Sequence, residues 1–230
     1  VTNVLTTPLL PEVVRYHAKG EGRKLVTVNE AYWVLVGTVV NLGILIIYPL
    51  IEPMYGYWTA HVVVFDKALL CLLLASVVVS NVGGLISLYL NGINSLRVVL
   101  AASVVRGTLG LGVGSFLFYH FGLAGFGMGI LGGEILVLLM MGRYFVKREL
   151  SKQGVSMPLR SLAPITISTA SVLLFLMSDG FGFQLTKYFY SVALLGVVGA
   201  ALWGWRELES GVRSRLVYMI SNLFFRKDIV

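Results

Sequence analysis

Charge is scarce in this chain. Only 13% of its 230 residues are Asp, Glu, Lys or Arg, about half the share of an ordinary soluble domain. Cysteine is scarcer: Cys71 stands alone, which excludes an internal disulfide framework and any Cys-x-x-Cys zinc or redox motif. Cys71 sits in an apolar run and reads as packing. The three histidines, His17, His61 and His120, lie far apart, each near an expected helix end. They read as interfacial residues rather than metal ligands. No Ser/His/Asp set, no paired carboxylates and no metal-ligand cluster stand out, so an enzyme is disfavoured. Gly110, Gly112 and Gly114 superficially resemble a phosphate loop. They lack a preceding strand and a Gly-Lys-Ser/Thr, so no nucleotide and no other cofactor is expected.

What is abundant is apolar surface. Hydrophobic residues make up 57% of the chain, and the mean hydropathy is +0.85. A soluble fold has nowhere to hide that much apolar area. A membrane-spanning helix needs about 20 mostly apolar residues. Six runs meet or approach that length: residues 31–51, 68–90, 98–119, 123–142, 161–178 and 187–205. The expected fold is therefore all-α, a polytopic transmembrane helix bundle with six predicted spans.

The net charge of +7 would point to nucleic acid in a soluble protein. Here the basic residues gather in alternate loops. Fifteen of the 18 fall on one side of the predicted membrane, two on the other, and Arg106 lies inside a span. Lys and Arg favour the cytoplasmic side. The distribution thus predicts a multi-pass protein of the cytoplasmic membrane with both chain ends cytoplasmic, and no nucleic-acid partner. Tyr32, Trp33, Tyr89, Tyr144, Trp203 and Trp205 are expected to belt the cytoplasmic edge. Tyr48, Tyr57, Trp58, Tyr119, Tyr188 and Tyr190 are expected to belt the other.

The predicted organisation has five parts. Residues 1–30 read as the tail of a preceding helix and a cytoplasmic loop, 31–142 as a four-helix unit, and 143–160 as a basic loop. Residues 161–205 read as a helix pair, and 206–230 as an amphipathic tail on the inner leaflet. The connection 52–66 is expected to lie along the outer interface. The chain begins at Val1, and its first apolar stretch is cut short by Pro8 and Pro11, so it is expected to be part of a longer protein.

Polar groups inside spans are the candidates for function, because they are costly at membrane depth. They are Arg106, Glu134, Asn81 and Asn41. Arg106 lies eight residues into its span and Glu134 eight residues from the end of the next, so each sits about 12 Å deep. The two are expected to pair, and Asn81 and Asn41 fall in a similar layer. Either role is open: substrate binding or ion coupling on a cavity wall, or helix–helix glue. Gly125, Gly129 and Gly133 repeat every fourth residue, a spacing that lets helix backbones approach closely.

Several segments carry a family resemblance. Tyr48-Pro49-Leu50-Ile51-Glu52-Pro53-Met54-Tyr55-Gly56-Tyr57-Trp58-Thr59-Ala60 resembles the helix end and outer turn of polysaccharide-unit flippases. Tyr89-Leu90-Asn91-Gly92-Ile93-Asn94-Ser95-Leu96-Arg97 looks like their short inner turn. Phe121-Gly122-Leu123-Ala124-Gly125-Phe126-Gly127, followed by Gly133-Glu134-Ile135, is similar to their next outer turn and helix. Pro8 to Lys24 resembles their inner loop. Together these cover residues 7–150. They point to the multidrug, oligosaccharidyl-lipid and polysaccharide exporter superfamily, with O-antigen-type flippases as the best match.

The resemblance implies the C-terminal half of a two-lobe transporter plus an added helix pair. The N-terminal lobe of the same protein would be its partner. It implies alternating access and a polyprenyl-diphosphate-linked oligosaccharide as substrate, carried across the bilayer for polysaccharide biosynthesis of the cell envelope. Other readings are a multidrug or cation antiporter of the same superfamily, a membrane-embedded glycan polymerase or glycosyltransferase, and a non-transporting scaffold. The short outer loops argue against the polymerase.

Overall fold

In hydrocarbon, every backbone N–H and C=O must find its partner within the protein, which leaves helix as the way to satisfy apolar runs of this length. The computed structural model describes residues 9–157, 159–182, 186–208, 210, 212–214 and 217. Among them every regular element is helical. Helix α1 is Leu9–Ala18 and α2 is Gly22–Trp58. Helix α3 is Lys67–Val82 and α4 is Gly84–Gly92. The helical stretch Leu96–Leu150 has two arms, α5 (residues 96–121) and α6 (residues 123–150). Helix α7 is Leu159–Gly180 and α8 is Thr186–Glu207. Among the described residues, four helices are long and apolar enough to cross a membrane, or five when the bent α3–α4 pair counts as one. The chain is thus an α-helical, multi-pass membrane protein.

The arms α5 and α6 meet at Gly122, whose φ of 62° and ψ of −146° are not helical. Glycine adopts that conformation without steric cost. Beyond it the chain doubles back. A Cβ on Gly125 would strike the Leu117 carbonyl, and one on Gly129 would strike the Gly114 backbone. At Gly133 a Cβ would lie 3.4 Å from the Arg106 carbonyl. The expected glycine stripe is therefore the seam of a helical hairpin.

Several boundaries differ from expectation. Residues 68–90 are not one straight helix but two, bent by 48° around Gly83. The connection 52–66 is shorter than expected, because α2 continues through Pro49 and Pro53 to Trp58. Pro49 has no N–H for the Leu45 carbonyl, and the Tyr190 hydroxyl supplies the missing donor at 3.0 Å. Residues read as loops at the basic end are largely helical. Helix α1 and the first turns of α2 occupy 9–18 and 22–30. Helix α6 runs on to Leu150 before α7 begins at Leu159. These extensions bury Val13, Leu25, Phe145 and Leu150 against Tyr89 and Leu90, which stabilises them beyond the apolar span itself. Of the preceding-helix tail expected over residues 1–10, residues 1–8 lie outside the described residues, as does most of the tail 206–230, while Leu9 and Leu10 open α1.

Aromatic placement is split. Tyr57, Trp58, Tyr119 and Tyr188 are exposed, as a belt requires. Tyr32, Trp33 and Tyr89 are instead buried, because their polar tips bond to other helices. A second core joins α2 and α3 to the α7–α8 pair, through Leu45, Ala75, Val172, Leu176 and Val197.

Candidate functional site

Arg106 stands ten residues after Leu96, roughly 15 Å along α5. The hairpin brings Glu134 of α6 directly opposite. The guanidinium makes two contacts to the carboxylate: Nε to Oε1 at 2.7 Å and Nη2 to Oε2 at 2.9 Å. This fork-to-fork geometry fixes both orientation and distance. The partners are unequally covered. The Glu134 side chain is 11% exposed and that of Arg106 48%. The Glu134 side chain is thus largely covered while that of Arg106 is about half exposed.

Arg106 and Glu134 both line a cavity of about 550 Å³, whose wall also carries Tyr32, Asn81, Ser87 and Asn91. The bend between α3 and α4 opens this wall. It leaves helix-end carbonyls without intrahelical donors. The Trp33 indole N–H donates to the Val82 carbonyl at 3.0 Å. The Tyr32 hydroxyl donates to Asn81, with its carbonyl O and its Oδ1 both at 3.4 Å. The Tyr32 hydroxyl occupies the space where a Cβ on Gly84 would stand. Two aromatic residues of α2 thus hold the broken helix open.

Three of the four expected site residues, Arg106, Glu134 and Asn81, share this cavity. Asn41 does not. It is buried against α7, where its Nδ2 donates to Ser168 Oγ at 2.7 Å. Its face points to the helix pair. Among the described residues its Oδ1 has no hydrogen-bond partner.

Two polar clusters were not anticipated. At the basic end, the Tyr89 hydroxyl bonds His17 Nδ1 at 2.8 Å and donates to buried Glu149 at 3.3 Å. Lys152 reaches the same carboxylate at 3.5 Å. At the opposite end, the Asp179 carboxylate accepts from the Tyr48 hydroxyl and pairs with Lys67 at 2.8 Å. Cys71, expected to be packing only, lies with its Sγ 3.2 Å from that hydroxyl. One signal for this cluster was visible. Lys67 and Lys187 are the two lone basic residues on the sparsely charged side, and both line one cavity of about 430 Å³.

No family model, curated protein or solved structure matches this chain.

Proposed function

We infer that this chain belongs to the C-terminal part of a flippase that carries polyprenyl-diphosphate-linked oligosaccharide across the cytoplasmic membrane. The observation that carries the reading is Arg106, a cation within an apolar helix that pairs with Glu134 on the wall of a cavity also lined by Asn81 and Asn91. Intramembrane charges of this kind mark ligand pathways. A diphosphate is the ligand chemistry that suits a guanidinium fork. As the head group enters, Arg106 exchanges part of its bond to Glu134 for a phosphate oxygen, while Asn81 and Asn91 face the sugar hydroxyls. The polyprenyl tail stays in lipid. No covalent bond is made or broken.

In this reading the spans number six: α2, the bent α3–α4 pair, α5, α6, α7 and α8. The basic end faces the cytoplasm. The sequence resemblance supports a first lobe upstream that closes the cavity from the other side.

The test is a double substitution in the full-length protein. Arg106→Met with Glu134→Met removes both charges and leaves no stranded partner. Expression kept with export of the lipid-linked glycan lost supports the reading. Recovery of both makes the pair structural and removes the main support.

A further inference from the structure

The cavity of about 430 Å³ at the sparsely basic end is walled by α2, the start of α3, the end of α7 and the start of α8. Two of its charges are committed to each other, Lys67 and Asp179 at 2.8 Å. Two others are not. Among the described residues, Glu52 makes no ion pair or side-chain hydrogen bond, and neither does the Lys187 ammonium. The cavity therefore offers one carboxylate and one ammonium, both exposed. Phe65, Phe175 and Tyr190 supply apolar wall.

The surroundings place this cavity at the depth of lipid head groups. Tyr57, Trp58, Phe181 and Tyr188 are exposed on the adjoining helix ends, and aromatic side chains concentrate at the membrane–water interface. A head group there meets Lys187 through its phosphate and Glu52 through its amine. A purely anionic head would face the Glu52 carboxylate, and a purely cationic one would face Lys187. The occupant chemistry that satisfies both is a phosphoethanolamine zwitterion, with its acyl chains leaving over the exposed Val62, Val63 and Val64.

We propose that this cavity binds the head group of phosphatidylethanolamine. The proposal stands apart from the transport reading, since it uses neither Arg106 nor the other cavity.

The experiment uses the full-length protein in nanodiscs of equal phosphatidylethanolamine and phosphatidylglycerol, released gently and weighed by native mass spectrometry. The wild type is expected to retain phosphatidylethanolamine over phosphatidylglycerol. Lys187→Gln and Glu52→Gln are each expected to lower that retention about threefold, the size of one partly exposed charge pair. Neither side chain has a bond among the described residues, so both variants are expected to keep the wild-type melting temperature. Equal retention of the two lipids would overturn the proposal, as would wild-type retention by both variants. Displacement of the lipid by soluble O-phosphoethanolamine at matched concentration would assign the cavity to a free ligand and overturn the lipid assignment.

Discussion

Tyr190 donates its hydroxyl to the carbonyl of Leu45 at 3.0 Å, the acceptor that Pro49 leaves without a donor in its own helix. A side chain on α8 thereby completes the backbone of α2. This bond and the Leu45–Val197 core tie the C-terminal helix pair to the rest of the bundle.

Tyr190→Phe should therefore destabilise the protein by about 1 kcal/mol, the usual worth of one hydrogen bond. Pro49→Ala restores an N–H to α2 and should remove most of that cost. A double-mutant cycle on unfolding in mild detergent measures the coupling. Additive effects of the two substitutions would show that the hydroxyl does not compensate for the proline.

The hairpin seam makes a sharper demand. Gly129→Val places side-chain carbons into the Gly114 backbone and should abolish the folded protein. Gly132→Ala, three residues on, meets nothing within 4 Å and should be neutral. Size-exclusion profiles of the two variants check the contrast. Equal behaviour would mean that the arms do not pack through this stripe.

Much of the architecture was readable in advance because lipid imposes it. Helix length is set by bilayer thickness, so the apolar runs marked the helices. The Arg106–Glu134 pair was readable because equal depth on consecutive antiparallel helices left few other partners. The break at Gly83 was not. Its small and apolar neighbours look like any span, and the groups that cap it, Tyr32 and Trp33, each lie 49 residues before the residue they bond, Asn81 and Val82. Asn41 shows the same limit. Counting residues along α2 says nothing of its face, and only its bond to Ser168, 127 residues on, shows which face it serves. The Tyr48–Asp179 bond spans 131 residues and leaves no local pattern.

Asn41 and Ser168 should behave as glue. Asn41→Ala leaves a buried hydroxyl with one bond fewer and should cost about 1–2 kcal/mol. Transport per folded molecule should not change. A loss of transport at normal melting temperature would instead put Asn41 on the substrate path.

Orientation can be read with single cysteines in a Cys71→Ser background. Positions Ser151 and Ser210 should resist an impermeant thiol reagent applied outside, and Thr59 and Phe181 should react. Gly180 is a poor choice of site, since its Cβ would lie 2.9 Å from the Cys71 Cβ. Outside labelling at Ser151 would invert the assignment.

Transport itself is the most direct test. Full-length protein is reconstituted into proteoliposomes carrying a polyprenyl-diphosphate-linked oligosaccharide, and glycan in the outer leaflet is counted by an impermeant glycosidase. The account predicts that the protected half of the glycan becomes accessible with wild type, and that Arg106→Met with Glu134→Met, though folded, stays at the protein-free rate. A wild-type protein that leaves the inner half protected, or a double variant that moves glycan at the wild-type rate, would contradict it.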